Sequence, residues 1–348
     1  MDRKYQKISY EMFIKRNWPL LLCGAVLILG VTSLLMYLII SGNIRKDASA
    51  ATSEAIEGMS GLVHRKLDGV LVSPDQAELQ SYAVMIDNSA DSGLALGSAK
   101  ANLAIEAEVE GGITRFMLVF DESTELDEIG PVRSAREYYV DWAYSLSSVY
   151  AHVGGSPASL NLISLLNTFR DLSEISNGKY FWRSQGRAAP HNVFTSMESL
   201  KLAKENKGWS NGAFQVWEYS TTSERGDTES VVIPYQGGFK VEWKFDGEEN
   251  KYERYQGKKM QKDADGESVT ASNIVVLLTE AEVVDDIGRL DMRTKGSGKA
   301  VLYRNGNKIE GTWSRRAGEW IKFQDFDGND LEFEPGTTWI EVVTRSDM

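Results

Sequence analysis

The sequence predicts an α/β domain followed by a mostly β domain, both carried behind one N-terminal transmembrane helix. Three observations predict this arrangement. Residues 20–40 form an uncharged apolar run, and residues 82–169 alternate between strand-like and helix-like hydrophobic patterns. From residue 231 onward, short alternating runs are separated by Asn-Gly and Asp-Gly pairs. The first pattern is typical of a membrane span, the second of βαβ packing and the third of β-hairpins.

The apolar run is long enough to span a bilayer. A helix of residues 19–40, rising about 1.5 Å per residue, just crosses a hydrocarbon core of about 30 Å. Cations outnumber carboxylates in residues 1–18, so the positive-inside rule predicts a cytoplasmic tail there and an extracytoplasmic location for everything after the helix. A cleaved signal peptide is the alternative, because residues 48–50 read Ala-Ser-Ala. The run exceeds the usual apolar core of about 7–15 residues, which favours a retained anchor.

Composition and cysteine usage narrow the class of protein further. The 348 residues are 42% hydrophobic and 25% charged, as in globular proteins, and the net charge of −12 argues against general nucleic-acid binding. The single cysteine, Cys23, lies inside the apolar run, so no intrachain disulfide can form. Leucines occupy residues 20–22, where a lipobox needs a small residue before its cysteine. The sequence therefore predicts a single-pass cell-membrane protein and no lipidation at Cys23.

The chain after the predicted membrane helix divides into four parts by composition and hydrophobic pattern. Residues 41–79 are rich in Ala, Ser, Gly and charge and are predicted to form a stalk or linker. Residues 80–219 are predicted to form the α/β domain, and residues 220–230 contain no apolar side chain and are predicted to be a linker. Residues 231–348 are predicted to form the β-rich domain, with a hairpin over residues 301–313. We expect the linker to separate two independently folded units.

Within the α/β domain, hydrophobic spacing places the elements in alternating order. Strands are predicted over residues 83–87, 113–120 and 148–153. Helices are predicted over residues 134–146 and 157–169. Since ligands gather at the carboxyl ends of strands in α/β sheets, the loops after these strands are the first place to look for a site.

Two arginine-rich phrases lie in such loops, EGGITR at residues 110–115 and GPVRSAR at residues 130–136. Ser134 and Glu137 have the spacing of a capping box, which would place Arg136 in the first turn of a helix. The helix dipole disfavours a cation there, and a bound anion would reverse that penalty. We therefore expect an anion to bind the guanidinium groups of Arg115, Arg133 and Arg136. The alternative is internal pairing of these arginines with Glu106, Glu108 or Glu110.

A third phrase, HVGGSP at residues 152–157, joins a predicted strand to a predicted helix. Ser156 fits the N-cap position and Pro157 the first helical position, while Gly154 and Gly155 would let a ligand approach the backbone. A serine-hydrolase interpretation fails on chemistry. The oxyanion hole of such an enzyme needs the N–H of the residue after the serine, and proline has none.

His191 lies in a further loop, RAAPHN at residues 187–192. Its neighbourhood completes the predicted ligand-binding set, which comprises Glu110, Arg115, Arg133, Arg136, His152, Gly154, Gly155, Ser156, Arg187, His191 and Asn192. We assign no catalytic residue, no cofactor and no metal, because the chain has no His-x-x-x-His pair and no clustered cysteines.

Three functions are compatible with these residues. The first is an envelope protein that binds an anionic ligand, such as a cell-wall or polymer fragment or an acidic segment of a protein partner. The second is an envelope hydrolase or transferase with Glu110 or His152 as general base and Arg136 as electrostatic stabiliser. The third is a scaffold whose arginine–glutamate network is structural. An open cleft with unpaired arginines would favour the first, and a fully paired buried network the third.

Several phrases of this sequence resemble the YerB-like bacterial lipoprotein family. In the first half they are residues 85–88, 109–116, 129–136, 152–156 and 190–192, and in the second half residues 273–276, 311–313 and 335–340. The resemblance implies two domains of unknown function, over roughly residues 80–346, and an exported location. It implies no reaction. The chain departs from the family in its tether, because it lacks a lipobox and carries the predicted transmembrane helix instead.

Overall fold

The computed structural model of the chain describes residues 61–212, 217–221 and 224–344. From Leu62 onward the chain forms one compact unit. The predicted cytoplasmic tail, the predicted transmembrane helix at residues 19–40 and the first part of the predicted stalk lie outside the described residues. Within the described ranges, no helix is both long enough and apolar enough to cross a membrane.

The first half of the compact unit contains nine strands and four α-helices in the residues described. The strands are β1 (Val63–His64), β2 (Leu71–Val72), β3 (Ser81–Asp87), β4 (Leu103–Glu108), β5 (Thr114–Asp121), β6 (Val149–His152), β7 (Arg170–Ser173), β8 (Trp182–Arg183) and β9 (Val193–Phe194). The helices are α1 (Glu137–Ser145), α2 (Pro157–Leu165), α3 (Glu174–Asn177) and α4 (Met197–Asn206).

The second half is built from strands, as its Asn-Gly and Asp-Gly pairs predict. They are β10 (Glu218–Tyr219), β11 (Ser230–Ile233), β12 (Val241–Asp246), β13 (Lys251–Gln256), β14 (Lys259–Met260), β15 (Thr270–Ala271), β16 (Asn273–Leu278), β17 (Ala281–Val283), β18 (Leu290–Met292), β19 (Gly296–Arg304), β20 (Asn307–Arg315), β21 (Lys322–Gln324), β22 (Glu332–Phe333) and β23 (Thr338–Val343). The predicted hairpin over residues 301–313 is confirmed, since β19 and β20 pair around Asn305 and Gly306. Both turn residues have positive φ, as a tight hairpin turn requires.

One ten-stranded mixed sheet runs through both halves in the order β21-β20-β19-β16-β23-β4-β5-β3-β6-β7. Strand β23, from the end of the chain, pairs in parallel with β4 of the first half. The expectation of two independently folded units is therefore wrong, because each half completes the sheet of the other. Residues 220–230 connect the halves without separating them.

The predicted stalk is also too long at its C-terminal end. Residues 63–72 form the small β1–β2 ladder, and Leu67 is buried in the core. The Tyr219 hydroxyl donates a hydrogen bond to the Leu67 carbonyl at 2.9 Å, and the Gly336 N–H donates to the Asp68 carbonyl at 2.7 Å. Asn102 of the first half also donates to Oδ2 of Asp68 at 2.7 Å, so contacts to both halves of the unit hold this segment in place.

The large sheet is covered on both faces, which explains why β3 is buried along its whole length. On one face Tyr82, Val84 and Ile86 of β3 share a core with α4 and with the five-stranded sheet of β11 to β15. On the other face Ala83 and Met85 share a core with α1 and with aromatic side chains of the second half. The alternation of side chains along the strand directs its polar end residue, Asp87, to this second face.

The predicted βαβ packing is confirmed, since β3, β6 and β7 are parallel neighbours and α1 and α2 lie between them in sequence. The predicted start of the first helix is wrong. Arg136 has extended backbone angles, φ −130° and ψ 154°, and is itself the N-cap of α1. The predicted capping box does not form, because the carboxylate of Glu137 accepts a hydrogen bond from the Ser156 hydroxyl instead.

Candidate functional site

The polar residues of the first half meet where β3 and β6 end and β5 begins. Asp87, the last residue of β3, lies directly opposite Arg115 in the antiparallel register of β3 and β5. Opposite residues of an antiparallel pair point to the same face of the sheet. The loop after β5 returns Arg133 and Arg136 to this edge, where the Arg133 N–H donates to the Met85 carbonyl and the Arg133 carbonyl accepts from the Val153 N–H.

A buried carboxylate, Asp87, organises one side of the site. Its Oδ1 accepts a hydrogen bond from the Ser89 N–H at 2.9 Å, and its Oδ2 lies 2.5 Å from Nδ1 of His191. The Nε of Arg133 lies 3.0 Å from the same oxygen, although the direction of the N–H makes this an ion pair and not a hydrogen bond. Burial raises the pKa of Asp87, but Ser89, Arg133 and His191 together hold it below its ordinary value. The side chain is therefore an anion at neutral pH.

Arg115 is the other central group. Its side chain is buried, and its NH1 donates a hydrogen bond to the Ser134 carbonyl at 3.1 Å. Its Nε has no hydrogen-bond partner, and within the described part of the chain the guanidinium forms no ion pair. Burial, assisted by repulsion from Arg136, lowers the pKa of Arg115 to about 10. The group still carries its positive charge at neutral pH, held in the protein without a carboxylate of its own.

Arg136 is paired, contrary to the expectation that it is free to bind an anion. Its Nε donates to Oε2 of Glu110 at 3.1 Å, its NH2 donates to Oε1 of the same carboxylate, and its NH1 donates to the Ala135 carbonyl at 2.7 Å. Burial raises the pKa of Glu110, but the hydrogen bond from Arg136 and the charge of Arg115 lower it further than burial raises it. This bidentate pair is the internal pairing that the sequence left open.

The loop after β6 has a structural role. His152 is fully buried, with Nδ1 2.6 Å from the Gly154 carbonyl and Nε2 2.7 Å from Oδ1 of Asp171. Ser156 is the N-cap of α2, accepting a hydrogen bond from the Ser159 N–H at 3.0 Å, as predicted. Internal partners thus occupy the side chains of His152 and Ser156, two of the residues predicted to face a ligand.

The two glycines of this loop differ in what they allow. Gly154 has φ +60°, a conformation that favours glycine. Gly155 is required by packing, because a Cβ at that position would come within 2.5 Å of the Ser159 hydroxyl oxygen. Gly155 therefore does not leave an open backbone for a ligand.

The loop of residues 187–192 reaches the site through His191 and through the Pro190 carbonyl, which accepts a hydrogen bond from NH1 of Arg133 at 3.3 Å. Its imidazole is about one-fifth exposed and adjoins both Asp87 and, at 3.4 Å, the Ser89 hydroxyl. Arg187 instead donates to the backbone carbonyls of Ser92 and Leu94. Asn192 accepts a hydrogen bond from Arg183 at 3.1 Å. These partners make Arg187 and Asn192 supports of the loop, and neither faces the cluster.

The residues that do come together are therefore Asp87, Arg115, Arg133, His191 and, beside them, the Arg136–Glu110 pair. We call this group the arginine cluster. Asp87 is the member of the cluster that the predicted ligand-binding set did not include. Its signal was present, since it is a carboxylate directly after a fully buried strand, at the end where ligands gather.

The cluster gives little support to general-base chemistry at the two residues proposed from sequence. Both ring nitrogens of His152 already have internal partners, the Gly154 carbonyl and the Asp171 carboxylate. Glu110 is held as an ion by Arg136. Internal partners thus occupy both groups. The arrangement can, however, attract an anion, because three guanidinium groups face only two carboxylates.

Two further observations concern other kinds of site. A polar pocket of about 250 Å³ lies at the opposite, amino ends of β6 and β7, lined by Tyr144, Ser148 and Arg170 among others, and does not coincide with the arginine cluster. In the portion of the chain that the structure describes, no three His, Cys, Asp or Glu side chains are placed to hold a metal ion. The case for the cluster thus depends on its electrostatics and not on the depth of a cavity.

Comparison with known families agrees with the motifs at this edge of the sheet. Residues 67–210 match the N-terminal domain, and residues 231–340 the C-terminal domain, of the family described as "Protein of unknown function (DUF3048)". The chain belongs to the DUF3048 family. The arginine cluster lies within the N-terminal DUF3048 match.

One relative and one solved structure confirm the resemblance to YerB-like proteins. "Putative lipoprotein YerB" of Bacillus subtilis strain 168 is 30% identical over 307 residues, which are 86% of this chain and 92% of the relative. The crystal structure of the YerB protein from Bacillus subtilis superposes with a TM-score of 0.74 at 30% identity and covers 81% of this chain and 97% of that one. The two proteins therefore share the whole fold of the compact unit.

Proposed function

We propose that this DUF3048 protein is a membrane-anchored, extracytoplasmic protein of the bacterial envelope that binds an anionic ligand at the arginine cluster. The name of the relative YerB, which describes a lipoprotein, supports an envelope location. The uncharged run at residues 19–40 and the cations before it support a single-pass anchor with a cytoplasmic N-terminus.

The observation that carries the binding proposal is the contrast between Arg115 and the other buried arginines. Four arginines of the described chain are less than one-tenth exposed, namely Arg115, Arg136, Arg254 and Arg315. Three of them pair with carboxylates, Arg136 with Glu110, Arg254 with Glu106 and Arg315 with Asp141. Arg115 donates a hydrogen bond only to a carbonyl, and the nearby carboxylate of Glu110 already forms its ion pair with Arg136. Buried charges are normally paired, and an unpaired one at the carboxyl ends of strands is a site for an opposite charge.

Sulfate binding to the full-length protein in detergent micelles tests this function. Isothermal titration calorimetry at constant ionic strength should detect sulfate binding to the wild type. Charge-assisted hydrogen bonds are worth about 1.5–3 kcal/mol each, so Arg115→Met should weaken that binding about tenfold or more. Arg316→Met, at an arginine 88% exposed, should leave it unchanged. Equal sulfate affinity in all three proteins would rule the binding proposal out.

Topology is tested separately on intact spheroplasts. Protease added outside should degrade the compact unit while a cytoplasmic control protein survives. Survival of both would show that the orientation is wrong.

A further inference from the structure

The ligand class and its protonation chemistry follow from the charges of the arginine cluster, if the proposed anion-binding function holds. At neutral pH the guanidinium groups of Arg115, Arg133 and Arg136 supply three positive charges, and Asp87 and Glu110 supply two negative ones. One positive charge is left for a ligand. A group with a single negative charge would neutralise it, and a dianionic group would leave a net negative charge unless the protein gained a proton.

His191 is the group placed to gain that proton. Its Nδ1 lies 2.5 Å from Oδ2 of Asp87, and a carboxylate only accepts hydrogen bonds, so Nδ1 is the protonated nitrogen of the neutral ring. The Nε2 is then the basic nitrogen, and in the described part of the chain it has no hydrogen-bond partner. The charged groups that face the ring are Asp87 itself and Arg133, whose Nε lies 3.0 Å from the same carboxylate oxygen. A second proton on Nε2 would turn it into a donor directed away from Asp87.

The other histidine of this region is not available for the role. Both nitrogens of His152 already face acceptors, the Gly154 carbonyl and the Asp171 carboxylate, and the ring is fully buried. Proton uptake at the cluster is therefore assigned to one residue.

We infer that the arginine cluster binds a dianionic oxyanion group, such as a phosphate monoester or a sulfate, and that binding places a second proton on Nε2 of His191. The proton comes from solvent, and no covalent bond other than N–H forms. The Nε2–H then donates to an oxygen of the ligand, while Arg115 and Arg133 supply the remaining charge. Because binding and protonation are linked, affinity should fall as pH rises, by up to about tenfold per unit where a whole proton is taken up.

Sulfate is the probe, because it stays a dianion throughout the neutral range and contributes no proton of its own. Calorimetric titration of the full-length wild type at about pH 7.5, in two buffers with different ionisation enthalpies, measures the protons taken up per sulfate. We expect an uptake approaching one. Acetate, a monoanion, should bind with an uptake near zero. This comparison needs no variant, so it decides the inference even if a substituted protein fails to fold.

Variants assign the proton to its residue. His191→Asn keeps a donor near Asp87 and removes Nε2, so it should still bind sulfate, more weakly, with no proton uptake and no dependence on pH. His64→Asn, at an exposed histidine, is the matched control and should behave as wild type. Methyl phosphate, dianionic above its second pKa of about 6, distinguishes a preference for phosphate esters from one for sulfate.

Each outcome has a separate meaning. Arg115-dependent sulfate binding with uptake abolished in His191→Asn supports the inference. Arg115-dependent binding without uptake, or with uptake that persists in His191→Asn, overturns the inference and leaves the proposed function standing. Sulfate binding that does not depend on Arg115 overturns both.

Discussion

Replacing Arg254 by Met tests the energetics of the core that joins the two halves of the protein. Arg254 of β13 and Glu106 of β4 form an ion pair in which both side chains are fully buried. The guanidinium also lies over the rings of Phe116 and Trp339, with its central carbon 5.1 and 5.2 Å from their centroids. Methionine retains much of the apolar stem and removes the charge, so the substitution leaves Glu106 buried without its partner.

Two estimates give the expected loss of unfolding free energy in Arg254→Met at pH 7. Breaking a buried pair by removing one partner costs about 3–5 kcal/mol. Glu106 can limit the cost by becoming protonated. For a glutamate of ordinary pKa, about 4.3, protonation at pH 7 costs about 1.4 kcal/mol per unit over about 2.7 units, or about 3.7 kcal/mol. We therefore expect Arg254→Met to lower the free energy of unfolding by about 3–4 kcal/mol at pH 7. Near pH 4.5 the same substitution should cost only about 1 kcal/mol.

Urea unfolding at the two pH values measures both quantities. The double variant Arg254→Met with Glu106→Gln should recover most of the loss at pH 7, because it leaves no buried ion. Arg316→Met, at an exposed arginine, is the control and should change stability by less than about 0.5 kcal/mol. The reasoning would be refuted by a loss below about 1 kcal/mol at pH 7, or by an equal loss at both pH values.

Two further predictions concern other buried charges. Burial, and then repulsion from Glu106, raise the pKa of the Glu341 carboxyl well above 4.5. The protonated carboxyl therefore contributes stability to the folded state that is complete below pH 4.5. This contribution is lost as pH rises toward the folded-state pKa of Glu341. Glu341→Gln should remove this pH-dependent loss of stability. The unfolding free energies of the wild type and of Glu341→Gln, measured from pH 4.5 to 8, should therefore diverge steadily, and parallel curves would contradict the prediction. Arg136→Ala should destabilise the protein by about 1.5–3 kcal/mol, because it breaks charged hydrogen bonds to Glu110, and thermal unfolding that matches wild type would show that the pair is not structural.

Local sequence patterns predicted the strands and helices well, but they did not predict which strands pair across long distances in the chain. The spacing of residues 83–87 and the Asn305-Gly306 pair are properties of a few adjacent residues, so β3 and the β19–β20 hairpin could be read directly. The joining of the halves depends on β23 pairing with β4, more than two hundred residues apart. Nothing in the polar segment at residues 220–230 reveals that pairing, and the segment resembles an interdomain linker.

At the site, too, local features could be predicted from the sequence and long-range contacts could not. Ser156 and Pro157 predict the start of α2 correctly, because a helix cap is formed by residues that are neighbours in the sequence. Whether an arginine has a partner depends on where a distant chain segment brings its carboxylate. Arg136 and Glu110, twenty-six residues apart, meet only because the loops after β4 and β5 fold to one edge. Sequence reasoning could state both possibilities for Arg136 but could not choose between them.

The buried arginines differ in whether a carboxylate offsets the desolvation cost of the guanidinium. Desolvation penalises every buried guanidinium, and at Arg254 and Arg315 a carboxylate offsets the penalty. Arg115 has a carbonyl as its hydrogen-bond partner and shares the charge of Glu110 with Arg136, and its pKa of about 10 leaves it charged at neutral pH. Substitution by an apolar residue would relieve the penalty. This buried charge, beside an Asp87–His191 pair at the carboxyl ends of parallel strands, is therefore the feature of the fold that supports the proposed anion site.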